Sequence, residues 1–167
     1  LFRQKGLDGT TMRAIATQAG YSTGAPYAYF QSKEEIYAEL LSNSLGNLTA
    51  AVKSSVQDYQ SETNRIYSVF EAYFNYYHLH SEELQLGLYL FSSGEVRAQG
   101  FSDETNRVLN GKLVSLLGFM ANILHSNTGN SAVQAQTETL DALSYFTGTL
   151  ILQETGRLKL FGSNPQE

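Results

Sequence analysis

Between residues 10 and 35 the sequence writes three helix starts in close succession, and any fold of this chain has to accommodate them. Thr10 or Thr11 can cap a first helix, on which Met12, Ile15, Ala16 and Ala19 recur at three- and four-residue intervals before Gly20 supplies the left-handed backbone that stops it. That spacing predicts a helix over about 11–19. Ser22 then caps a second, very short helix that begins with small residues and ends in aromatics, so its first turn is slim and its last is anchored by Tyr27 and Phe30. A slim start suits entry into a groove. Ser32 opens a third helix with Glu35 three positions on, a capping box that leads into the apolar periodicity of Ile36, Leu40 and Leu41. The pattern is a helix-turn-helix with a capped third helix behind it.

These residues resemble the DNA-binding signature of the tetracycline-repressor-like (TetR) transcriptional regulators. Phe2, Gly6, Thr10-Thr11, Ile15-Ala16, Ala19-Gly20, Ser22, Gly24, Tyr27, Tyr29-Phe30, Ser32-Lys33-Glu34 and Ile36 fall in that family's register, over roughly the first third of the chain. The serine cap, the glycine, the aromatic pair and the Ser-Lys-Glu run together are far more specific than helix-turn-helix spacing alone. Pro26 departs from the family pattern, which has an apolar non-proline residue there. About three residues into the second helix, its missing N–H has no intrahelical partner to lose, and its ring stiffens the turn. The resemblance also implies that residues 1–4 are the tail of a first helix whose earlier part, with any basic arm, precedes them.

A formal net charge of −5 runs against DNA binding until it is divided along the chain. Residues 1–46 hold Arg3, Lys5, Arg13 and Lys33 against Asp8, Glu34, Glu35 and Glu39, which cancel. The remaining residues carry seven basic and twelve acidic groups, so the excess acid lies where it does not meet phosphate. With no cysteine there is no disulfide framework, thiolate metal site or thiol nucleophile, which fits a cytoplasmic protein. No apolar run approaches the roughly 20 residues that span a bilayer, and no signal peptide is visible, so no membrane partner is expected.

The rest of the chain reads as helix after helix. Tyr37, Leu41, Leu45, Leu48, Val52, Val56 and Tyr59 recur by threes and fours and extend the third helix to about residue 57, with Gly46 as a candidate bend. Ser61 or Thr63 caps the next, whose face carries Ile66, Phe70, Tyr73, Phe74 and Tyr77, and a shorter helix follows over about 82–91. Ser102 and Thr105 precede a helix of about twenty residues marked by Leu109, Leu113, Leu116, Met120 and Leu124. Residues 126–131 read as a loop, and Leu140, Leu143, Phe146 and Leu150 carry a last helix to about 158, before Gly162, Asn164 and Pro165. Nothing alternates with period two. The expected fold class is all-α: a helix-turn-helix head over 1–46, truncated in its first helix, on a larger helical ligand-binding and dimerisation body over 47–167.

Gly111, Ser115 and Gly118 form a strip of small residues that lets helix backbones approach closely. The resemblance implies that the last two long helices pair with their copies in a homodimer, which suits this strip together with Ala142 and Gly148; packing within one subunit is the alternative. Eleven tyrosines and nine phenylalanines allow a cluster of Phe70, Tyr73, Phe74, Tyr77, Tyr89, Phe119 and Phe146 to line a cavity for an aromatic or amphiphilic small-molecule effector, or simply to fill a core. Glu71, Asp141 and Glu154 would select a cation only if buried. His78 and His80, two apart, point in different directions on a helix, and His125 stands at a helix end. No metal-ligand pairing, nucleophile elbow, phosphate-binding glycine loop or paired-carboxylate motif is present, so neither an enzyme nor a cofactor is expected.

Carried over residue by residue, the resemblance puts the second helix in the major groove of a double-stranded operator. Ser22 caps it, Thr23, Gly24, Ala25 and Ala28 face base edges, and Tyr27 and Tyr29 reach phosphates or a thymine methyl. Thr11 and Lys33 clamp phosphates at helix N-termini. Phe30, Ile15 and Ala16 belong to the head's core. The function implied is a ligand-responsive regulator, a repressor that leaves a near-palindromic operator when a small molecule binds the body. The alternative is a helical small-molecule-binding or interaction protein that no longer binds DNA.

Overall fold

The computed structural model describes residues 1–57, 62–92 and 101–161, with backbone alone for 62–64, 89–92 and 161. Tyr59, Gly162, Asn164 and Pro165 lie outside the described residues, as does the side chain of Tyr89. Among the described residues there is no strand. The described residues form seven α-helices: α1 Phe2–Lys5, α2 Met12–Gln18, α3 Lys33–Ser54, α4 Glu62–Leu79, α5 Ser81–Ser92, α6 Asp103–Thr128 and α7 Ala132–Glu154. Two 3-10 turns, Ala25–Ala28 and Arg157–Phe161, complete the described elements.

Caps explain most boundaries. Of the two candidate threonines, Thr11 caps α2, its hydroxyl oxygen accepting the Ala14 N–H at 3.1 Å. Thr10 is fully buried and its hydroxyl donates to the Gly6 carbonyl at 2.6 Å. At the far end Gly20 takes φ +75°, and the Tyr21 and Gly20 amides return to the Ala16 and Thr17 carbonyls at 2.9 and 3.2 Å, a Schellman closure. The Ser32 hydroxyl accepts the Glu35 amide at 3.3 Å, but the Glu35 carboxylate takes the Gln31 amide at 2.7 Å, one residue before the reciprocal bond of a capping box.

Three expected ends are corrected. The third helix stops at Ser54, where Ser54 and Ser55 hydroxyls bond back to the Ala51 and Val52 carbonyls and compete with the ladder. The helix expected to end near 125 runs on to Thr128 because the Asn127 and Thr128 side chains occupy the Ile123 and Leu124 carbonyls, and Gly129 at φ +73° then turns the chain. The last helix ends at Glu154, not near 158, because Gly156 adopts φ +69° and a 3-10 turn follows. At 26 residues α6 also passes the length and composition test for a membrane span, contrary to expectation. Its Leu109, Leu116, Met120, Ala121 and Leu124 are buried in protein, although only 28% of its apolar window is, and one such helix is weak evidence for a membrane span.

The described residues form two compact units. The first combines Leu1–Gly46 with Glu82–Lys112. Leu7, Met12 and Ala16 are buried in it, as is a cluster of Ala38, Leu41, Leu45 and Leu109 against which Leu86 and Phe101 pack. Tyr37 is 1% exposed, its ring edge-on to Phe2 at 5.2 Å and its hydroxyl donating to the Leu86 carbonyl. Lys112 donates to the Ser42 carbonyl at 3.0 Å.

The second unit combines Asn47–Ser81 with Leu113 onward. Here α4 packs on α7, and Leu48, Val52, Val69, Leu116, Met120 and Leu143 are buried. Ser131 and Gln134 form a full capping box at the start of α7. Along this helix and its cap, Thr137, Thr139, Ser144, Thr149 and Thr155 each donate to the carbonyl four residues back, at 2.7–3.0 Å.

A Cβ added at Gly9 would run into the Lys5 carbonyl oxygen and sit 3.1 Å from Lys5 Cβ. Backbone cannot yield as a side-chain tip can, so Gly9→Ala is expected to destabilise the first unit by about 1–3 kcal/mol. A lowered urea midpoint with an unchanged m-value is the expected reading.

Candidate nucleic-acid interface

The structure corrects the second helix. It is a single 3-10 turn preceded by Gly24, and no side chain caps it. The Ser22 carbonyl, not its hydroxyl, closes the entry by accepting the Ala25 amide at 3.0 Å. Pro26, at the second position, has no N–H to give to an α-helical ladder, and its own carbonyl takes both the Tyr29 and Phe30 amides at 3.0 and 2.9 Å. Tyr27 does not anchor the turn: it is 60% exposed, and only Phe30 is half-buried.

The surface so made is continuous in sequence and open to solvent. Ser22, Thr23, Gly24, Tyr27, Ala28 and Tyr29 are exposed and Ala25 is half-buried. Nothing lies within 4 Å of a Cβ placed on Gly24, so the turn is slim where a groove wall would come close. Tyr21, 69% exposed immediately after Gly20, joins this surface; sequence reasoning passed over it, although its place after the helix stop was the available signal. Ile15 is half-buried and Ala16 fully buried beneath.

Thr11 is exposed at the start of α2, its side-chain oxygen engaged by the Ala14 amide. Lys33 is tied to the head itself: its ammonium donates to the Leu7 carbonyl at 2.8 Å and lies 3.9 Å from the Glu34 carboxylate. An ammonium has three donors, so the bond fixes the side chain without exhausting it. Arg13 is exposed on α2.

In the second unit the structure brings together most of the aromatic residues singled out. Phe146 lies 6.3 Å from Phe70 and 5.8 Å from Phe74 between ring centroids, and Tyr73 lies 5.1 Å from Tyr77. Phe119 stands apart from these pairs, under the Lys53 ammonium at 5.7 Å. Two cavities, of about 370 and 310 Å³, are lined by residues of the first unit, and none of these aromatics lines either. His78 stacks on Phe74 and shares a 3.1 Å hydrogen bond with Gln153, whereas His80 packs on Tyr76. His125 braces the loop after α6 through the Asn130 carbonyl at 2.6 Å. Glu71, Asp141 and Glu154 are exposed. No group of three metal-ligating side chains gathers among the described residues.

Burial raises the Tyr73 hydroxyl pKa above the ordinary 10.0, partly offset by its 3.0 Å hydrogen bond with Thr147. The folded state therefore holds a proton that the unfolded chain releases near pH 10, so stability is full below that pH and falls as pH rises above it. Urea midpoints measured across this range should fall less steeply in Tyr73→Phe.

On the two long C-terminal helices, Gly111, Ser115 and Gly118 are exposed, and Ala142 and Gly148 are half-buried. A Cβ on any of the three glycines would meet nothing within 4 Å. Leu113, Val114, Leu140 and Tyr145 are exposed on the same helices.

A capped helix, a glycine stop and an exposed turn ahead of a long helix define a helix-turn-helix protein with a helical body. Residues 1–40 match the family described as bacterial regulatory proteins, tetR family. The chain is 38% identical over 74 residues to the HTH-type transcriptional repressor KstR2 of Mycobacterium tuberculosis, a match spanning 44% of this chain and 37% of that protein. Over 76 residues it is 29% identical to the HTH-type transcriptional activator FasR of Mycolicibacterium smegmatis, spanning 46% and 35% of the two. The chain thus matches little more than a third of these relatives' length, and both are transcriptional regulators. The crystal structure of the TetR family transcriptional regulator PfmR from Thermus thermophilus has the same fold, with a TM-score of 0.72, 22% identity and coverage of 88% of this chain and 78% of that one. Residues 1–40 thus carry the match to the tetR family of bacterial regulatory proteins, and the chain shares the fold of a solved TetR family regulator.

Proposed function

We propose that this chain is a DNA-binding transcriptional regulator, a cytoplasmic homodimer without catalytic activity whose affinity for an operator changes when a small molecule binds the body. The observation that carries the reading is the exposed turn Ala25–Ala28 with Tyr21, Tyr27 and Tyr29, held on a capped α2 within the region that matches the family. Thr23, Gly24, Ala25 and Ala28 face base edges, Tyr27 and Tyr29 reach phosphates or a thymine methyl, and Thr11 and Lys33 hold phosphates. The exposed small and apolar residues of α6 and α7 support pairing with a second copy as a four-helix bundle. In sequence the head is 1–46 and the body 47–167, with 82–112 packed in the same compact unit as the head. Within the body, the tyrosines and phenylalanines of α4 and α7 favour an aromatic or amphiphilic effector. Repression is the working sense of the regulation. Effector binding releases DNA by favouring a different spacing of the two heads.

The test is binding of the full-length dimer to duplexes selected from a randomised pool, followed across a salt series. Each phosphate ion pair contributes about 0.9 to the slope of log affinity against log salt. Arg13→Ala is expected to weaken binding evenly across sequences and to reduce the slope by about one per head. A competing reading, a helical protein that no longer binds DNA, draws on the absence of any charged residue from 14 to 32. Failure of a folded dimer to enrich any duplex at low salt would favour it.

A further inference from the structure

From Ala14 to Ser32 no side chain is charged, and from Ala19 to Phe30 none is an amide either. The exposed turn therefore offers no arginine, lysine, asparagine, glutamine or carboxylate, the groups that read a base pair through paired hydrogen bonds. Gln18 and Gln31 bracket the stretch, on the last turn of α2 and just after Phe30. What the turn does present is the Ser22, Thr23 and tyrosine hydroxyls, the methyls of Ala25 and Ala28, and the exposed Tyr27 ring. A single rotatable hydroxyl meets purine N7, guanine O6 or thymine O4 alike and separates bases poorly. A methyl or ring edge is selective, because in the major groove only thymine carries an apolar group.

Resting on the DNA-binding reading above, we infer that the head identifies its operator through thymine C5-methyl groups met by Ala25, Ala28 and the Tyr27 ring. Pro26 serves this readout by fixing the turn between the two alanines, with Gly24 slim enough for close approach. Preferred sites carry thymines at one or two fixed positions in each half-site, and these positions tolerate loss of hydrogen-bonding pattern better than loss of the methyl.

The test uses the full-length protein and the duplexes it enriches from a randomised pool. Each thymine in turn is replaced by deoxyuridine, which keeps every hydrogen bond and deletes only the methyl. At the sensitive position, affinity should fall about fourfold per head, the worth of one buried methylene-sized group, and about fifteenfold when both half-sites are changed. A 5-methylcytosine·guanine pair there should bind about fourfold tighter than cytosine·guanine. The double variant Ala25→Gly/Ala28→Gly, with its helix content checked by circular dichroism, should lose most of the difference between thymine and deoxyuridine. Enriched duplexes that bind within twofold after deoxyuridine replacement at every thymine would overturn methyl readout and leave the regulator reading standing. A folded dimer that enriches no duplex would overturn both.

Discussion

Tyr37→Ala is expected to destabilise the first unit by about 3–5 kcal/mol, a fifth or more of the roughly 5–15 kcal/mol stability of an ordinary domain. Three effects add. The ring is 1% exposed, so its removal leaves a void that neighbours on several elements cannot fill together. Phe2 loses its edge-on partner and Phe101, 6.4 Å away and nearly parallel, loses the other. The Leu86 carbonyl loses a buried donor, which separates this site from a purely apolar one. Tyr37→Phe isolates that last effect and should cost about 1 kcal/mol. Urea denaturation of both variants provides the comparison. Equal losses would mean that the hydroxyl, and not the ring, holds the unit together.

Tyr27→Ala is expected to leave stability within about 0.5 kcal/mol, because the ring is 60% exposed. DNA affinity should nevertheless fall by about 30- to 150-fold, since one contact worth about 1–1.5 kcal/mol is lost in each of two heads. Tyr27→Phe divides the effect: retained affinity assigns the contact to the ring, and loss assigns it to a hydroxyl–phosphate bond. Fluorescence anisotropy on a selected duplex gives both numbers. An unchanged affinity in Tyr27→Ala would remove this residue from the interface.

Much of the fold is legible in the sequence because its helices are bounded by short-range chemistry. Thr11, Gly20 and Ser32 act on amides or carbonyls within a few residues, so their effects can be read from spacing alone. The misreadings arise where two local rules compete. A serine ahead of small residues suggests an α-helical cap, yet Gly24 and Pro26 make a 3-10 turn cheaper, and Ser22 contributes its carbonyl instead. Asn127 and Thr128 look like loop residues by composition, but both turn their side chains back onto α6 and prolong it. Long-range pairs left no such mark. Lys33 with Leu7, Tyr37 with Leu86 and Tyr73 with Thr147 are separated by 26, 49 and 74 residues, and nothing in local spacing announces them. The position of the short turn between Ser22 and Phe30 was readable from spacing, whereas the outward face of Tyr27 depends on how the turn closes.

The back-bonded hydroxyls of α7 have a consequence for whatever packs against that helix. By composition the helix is rich in threonine and serine and reads as polar. With Thr137, Ser144 and Thr149 already donating to their own backbone, their hydroxyl protons are spoken for on the helix that exposes Leu140 and Tyr145. Such a face has few hydration bonds to surrender when water is stripped away. It behaves in association as a more apolar surface than its letters spell, and its pairing should carry the negative heat-capacity change of buried hydrocarbon.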